Sequence, residues 1–142
     1  SEMFETGISA LKWLTKNQSS PRGYFYPIGS NGFWKKNSPP ARFDQQPIEA
    51  QSMINACAEA YRTTNDEFWL AECRKAFDWF LGGNELNLPL YDPHTGGCHD
   101  GLHMDRINQN QGAESTLAFL LSLVEMYNLR NTVIAFENKR TK

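Results

Sequence analysis

Two short strings hold the side chains best suited to chemistry. The first is Arg42-Phe43-Asp44-Gln45-Gln46-Pro47-Ile48-Glu49. The second is Asn108-Gln109-Asn110-Gln111-Gly112-Ala113-Glu114-Ser115-Thr116. Each sets amides and a carboxylate where a helix is about to begin. Unpaired backbone N–H groups and the helix dipole favour oxygen-rich partners there. Gln46 and Glu49 are three positions apart, as are Gln111 and Glu114, so each pair shares a helix face. Amides and carboxylates beside aromatic rings suit a sugar, with bidentate partners for vicinal hydroxyls and flat faces for stacking. The plainer reading is that Glu49 and Glu114, near the third helical position, cap their own helices. Both readings stay open for Glu49. The small neighbours Gly112, Ala113 and Ser115 favour a ligand-facing Glu114.

A third segment reads Tyr91-Asp92-Pro93-His94-Thr95-Gly96-Gly97-Cys98-His99-Asp100-Gly101. Asp92-Pro93 starts a turn that Gly96-Gly97 completes, so Asp92 reads as a turn former. Asp100 follows the turn, and either braces the loop or faces a ligand. Asp100 with Glu114 could share acid/base work on a glycosidic bond, and Asp44 is the third carboxylate that could act in it. The expected binding set is Arg42, Gln45, Gln46, Glu49, Asn108, Asn110 and Gln111, with Tyr26, Trp34 and Tyr91 as ring platforms. His94, Cys98, His99 and His103 match no zinc spacing, so no metal is expected. No phosphate-cradling glycine loop, nucleophile elbow or dinucleotide fingerprint is present, and no cofactor is expected.

The elements that position these strings come twice. Ala10-Leu11-Lys12-Trp13-Leu14, then Gln46-Pro47-Ile48-Glu49, then Ala58-Glu59-Ala60-Tyr61 is echoed by Ala76-Phe77-Asp78-Trp79-Phe80, Gln111-Gly112-Ala113-Glu114 and Val124-Glu125-Met126-Tyr127. Trp13 to Gln46 is 33 positions and Trp79 to Gln111 is 32. Repeats over about residues 1–65 and 66–130 predict an all-α fold of two helical hairpins, which cannot bury their apolar faces alone. Helices are predicted over about 2–17, from Pro47 to about Arg62, from Asn65 or Asp66 to Phe80, and from Gln111 to about Leu129. Gly82-Gly83 stops the third. The charged tail Glu137–Lys142 is predicted to fray. The two long loops, 18–43 and 84–110, then lie at one end of the assembly. Tyr24, Phe25, Tyr26, Phe33 and Trp34 in the first mark it as an ordered loop, not a linker.

Whole-chain composition narrows the class. The 142 residues are 40% hydrophobic and 21% charged, ordinary for one folded domain or a piece of a larger one. A net charge of -2 attracts neither nucleic acid nor an anionic membrane. The three cysteines lack framework spacing and read as reduced thiols in a cytoplasmic chain. No apolar run is long enough to span a bilayer.

At Ala41-Arg42-Phe43-Asp44-Gln45-Gln46-Pro47-Ile48-Glu49-Ala50, Leu88-Pro89-Leu90-Tyr91-Asp92-Pro93, Gly96-Gly97-Cys98-His99-Asp100-Gly101-Leu102 and Asn108 to Leu117, the chain resembles a known bacterial region. It is similar to the C-terminal part of an α/α toroid found behind glycosyltransferase domains. The likeness covers roughly residues 5–128. It implies the six-hairpin glycosidase-like architecture, with acidic and aromatic residues in a central funnel, and it assigns no catalytic residue. A closed six-hairpin ring needs around three times the hairpins present. The chain is then a C-terminal fragment of a larger toroid, or it completes its packing as a homo-oligomer. The expected role is carbohydrate binding or processing within a glycosyltransferase-associated polypeptide, the rest of which is its implied partner. The rivals are a glycoside hydrolase-like enzyme using paired carboxylates and a non-catalytic scaffold.

Overall fold

The computed structural model describes residues 1–140. Four helices follow in order: α1 Glu2–Asn17, α2 Pro47–Thr64, α3 Phe68–Phe80 and α4 Ala113–Arg140. Among the described residues there is no strand, and four isolated bridges pin the loops. Among the described residues no helix is long and apolar enough to cross a membrane.

Local chemistry sets the boundaries. Pro47 opens α2, where its fixed φ suits a helix start. Asn65 ends α2 in the left-handed conformation, and its N–H donates to the Tyr61 carbonyl. Asp66 Oδ1 then accepts the Phe68 N–H at 3.0 Å, which starts α3. Gly82, at φ 103°, turns the chain out of α3. The fourth helix runs eleven residues past the expected Leu129. Its later turns carry Val133 and Phe136 against the core, and the Phe136 ring meets Tyr61 at 5.7 Å. The residues predicted to fray are therefore helical through Arg140, while Thr141 and Lys142 lie outside the described residues. No Gly or Pro interrupts the helix between Phe136 and Arg140.

α2 is the central element and packs against both α3 and α4; α1 lies more lightly on α2. Ile54, Cys57, Ala58, Trp69, Cys73, Ala76, Trp79 and Phe80 have no exposed surface. The small side chains of Ala50, Cys57 and Ala58 let the rings of α3 approach closely. Arg62 reaches Glu125 at 2.6 Å, tying α2 to α4. The three cysteines are buried free thiols.

Both long loops sit at the end where α2 and α4 begin. Gln45 and Leu102 exchange both backbone hydrogen bonds at 2.9 Å, so the two loops are joined directly. A Cβ on Gly101 would lie 2.7 Å from the Gln45 carbonyl oxygen, which requires glycine there. The connection from α2 to α3 is short and lies at the opposite end.

Candidate functional site

The joined loops carry the polar groups of the site. The Phe43-Asp44 segment, whose peptide bond is cis, hydrogen-bonds to the preceding turn through Ser30 N–H to the Asp44 carbonyl at 2.9 Å. This leaves the Asp44 carboxylate to meet His103, Oδ1 to Nδ1, at 2.7 Å. Both side chains are partly exposed. A carboxylate holding Nδ1 fixes the imidazole orientation. His103 stood out in the sequence only as one of several histidines. Its pairing with Asp44 spans 59 positions, and no local pattern reports that.

The other carboxylates are placed differently. Asp100 Oδ1 accepts the Gly112 N–H at 2.7 Å, just before α4. It supports the helix start, and its backbone N–H reaches the Asn110 carbonyl at 2.9 Å. Gly112 is where it is because a Cβ there would lie 2.9 Å from that carboxylate. Glu114 is exposed and makes no hydrogen bond among the described residues. Glu49 lines a cavity of about 250 Å³ between α1 and α2, with Leu11, Leu14 and Met53, instead of facing the loops. No side-chain capping bond forms at the α2 start.

The glutamines also divide. Gln45 has no exposed surface: its Oε1 accepts from Trp79 Nε1 at 2.8 Å, and its Nε2 donates to the Arg42 carbonyl at 3.2 Å. It is an internal strut between the first loop and α3. Gln46 is exposed at the first position before α2. Gln111 accepts from Thr95 Oγ1 at 2.7 Å and donates to Asp92 Oδ2 at 3.2 Å, so it braces the second loop. Asp92 also accepts the His94 N–H at 2.9 Å; that bond leads the lowering of its pKa below the ordinary value. Asn108 Oδ1 accepts the Asn110 N–H at 3.1 Å, and Asn110 stays exposed on this end.

The aromatic residues form three separate groups. Trp34 stacks on Trp13 with centroids 5.1 Å apart and planes 3° from parallel. Trp13 stays 55% exposed, so this pair offers a flat ring face to solvent beside Lys35 and Lys36. Tyr91 stacks on Phe119 at 4.2 Å and belongs to the packing under the second loop. Tyr26 carries the Arg42 guanidinium 5.5 Å from its ring centre, a cation–π contact. Its hydroxyl has no accessible surface and no partner, and burial pushes its pKa up. Next to it Tyr24 donates to Glu85 at 2.6 Å; burial and that bond raise its pKa.

The structure thus gathers Asp44, His103, Asp100, Asn108 and Asn110 on the joined loops. It places Tyr26 and Arg42 in an adjoining polar hollow, and sends Trp34, Tyr91 and Glu49 elsewhere. Among the described residues no group of three or more His, Cys, Asp or Glu side chains could hold a metal ion. Burial raises Cys98 to about 12, so it is a poor nucleophile at neutral pH. No family model matches this chain, and no curated protein matches it significantly.

Proposed function

We propose that the chain is a carbohydrate-binding or carbohydrate-processing helical module whose loop end receives the sugar. The observation that carries this reading is the joining of the two loops at Gln45 and Leu102, the same loops that carry the Asp44–His103 pair, Asp100 and the asparagines. Asp100 is bound to a backbone N–H and so favours positioning over catalysis. Asp44 with His103, and the unbonded Glu114, are the groups left for acid/base work.

The proposed architecture is two hairpins, α1–α2 and α3–α4, from an α/α toroid associated with a glycosyltransferase polypeptide. Support comes from positions 65 apart. Ala50, Met53, Ile54 and Cys57 of α2 are buried, and so are their counterparts Ser115, Ala118, Phe119 and Ser122 of α4. Leu117, Leu120, Leu121, Val124 and Tyr127 of α4 are exposed, where α2 has Ser52, Asn55, Ala56, Glu59 and Arg62. An apolar stripe facing outward supports a neighbour there, either the rest of a toroid or a second copy of the chain.

The scaffold reading draws on Asp100, Gln45 and Gln111, all committed to internal partners. Equilibrium binding to a set of neutral oligosaccharides separates the two. Sugar recognition requires binding that Asp44→Asn or Glu114→Gln weakens without lowering Tm. Absence of any binding by the wild type leaves the scaffold.

A further inference from the structure

A polar hollow of about 210 Å³ is lined by Ser20, Arg22, Tyr24, Tyr26, Arg42 and Glu85. The first loop makes it. Ser20 and Tyr24 are held by a backbone bond from Ser20 N–H to the Tyr24 carbonyl at 2.9 Å, and the Ser20 hydroxyl accepts the Arg22 N–H at 3.0 Å. Glu85 comes from the segment after α3 and closes the hollow through Tyr24.

Two features of the hollow go unexplained by the fold. Arg22 and Arg42 line the hollow with Glu85 as the carboxylate beside them, which leaves one positive charge in excess. The volume is below the roughly 300–1,000 Å³ of pockets that hold drug-sized ligands, so it fits one small ring or an end group.

We infer that this hollow binds the acidic sugar ring of a uronate, with its carboxylate between Arg22 and Arg42. The inference rests on the carbohydrate reading and names the class of sugar. A carboxylate carries the one negative charge that the excess cation balances; a phosphate dianion would be over-charged beside Glu85. Arginine is the side chain suited to planar two-point carboxylate binding. Glu85 and Ser20 supply acceptors for the ring hydroxyls, which a plain carboxylate such as acetate cannot use.

Calorimetric titration of the whole chain with glucuronate and galacturonate tests this, with glucose, acetate and inorganic phosphate as comparisons. At least one uronate should bind saturably, more tightly than all three comparisons, and more weakly as salt rises. Arg42→Gln should weaken it by about tenfold or more, the loss of one charge-assisted hydrogen bond. Tyr26→Phe should leave the affinity nearly unchanged and Tm equal or higher, because it removes an unpaired hydroxyl sealed from the hollow. Arg42→Lys keeps the charge and should restore only part of the affinity. Failure of both uronates to bind, equal binding of glucose or phosphate, or binding indifferent to Arg42→Gln overturns the inference. If neutral oligosaccharides still bind in an Asp44-dependent way, the inference alone falls; if nothing binds, the carbohydrate reading falls with it.

Discussion

Asp44 and His103 meet at 2.7 Å across the seam between the two long loops. One residue precedes the Gln45 bridge and the other follows the Leu102 bridge, so the same backbone ladder that joins the loops sets the pair in register. The pair is half-exposed, and its contribution to stability is that of a surface ion pair, about 0–1 kcal/mol. Asp44→Asn should therefore fold normally, with Tm close to wild type by calorimetry. A large Tm loss would mark the pair as a structural tie.

Gln45 is the opposite case. Trp79→Phe leaves the fully buried Gln45 Oε1 without its donor, and an unsatisfied buried group costs about 1–3 kcal/mol. Urea unfolding should show a loss of that size or more, since the lost ring volume adds to it. A change near zero would mean the 2.8 Å bond does not hold the loop onto α3.

The α4 start depends on Asp100. Asp100→Ala should destabilise the chain by about 0.5–2 kcal/mol, the usual loss on removing a side chain that caps a helix. Asp100→Asn keeps an oxygen acceptor and should cost far less. Glu114→Gln should leave unfolding unchanged, because Glu114 is exposed and unbonded.

This division was only partly legible in the sequence. Pro47, Gly82 and the apolar spacing of α1 placed those boundaries closely, because proline and glycine act through the backbone itself. The matched Gln-x-x-Glu strings pointed to the end of the bundle where the two long loops lie. Periodicity could not say which amide turns inward, and Gln45 is the buried one while Gln46 is exposed. Trp13 and Trp79 looked equivalent, yet Trp79 is fully buried and Trp13 stacks on Trp34 at the surface. Trp79 packs with Gln45 and Phe80 in the core, whereas Trp13 lies on the solvent side of α1 with the Trp34 ring stacked on it. The Asp44–His103 pair depends on a loop-to-loop bridge, and such long-range pairing leaves no mark in local composition.

The stripe Leu117, Leu120, Leu121, Val124 and Tyr127 should bind the hydrophobic dye ANS in the isolated chain. Leu121→Asn should lower dye fluorescence and any self-association seen by sedimentation, while changing stability by no more than about 0.5 kcal/mol. Strong destabilisation would show that this side chain belongs to the core.

Acid unfolding should involve Asp92. Its pKa is held below the ordinary value, first by the His94 N–H. A depressed carboxylate stabilises the fold above the unfolded-state value and loses that contribution as pH falls through the folded-state value. Tm should drop on acidification below about pH 4, the ordinary aspartate range, and Asp92→Asn should flatten that drop. An unchanged profile would exclude Asp92 as a contributor.

The most direct test of sugar binding at the joined loops is amide shift mapping by NMR of the isotope-labelled chain with its best-binding glycan. Shifts should concentrate at Asp44, Asp100, Leu102, His103, Asn108 and Asn110, and leave Asn65 at the far end of the bundle unmoved. Absence of shifts with any glycan, or shifts confined to the exposed stripe of α4, would contradict a sugar site at the joined loops.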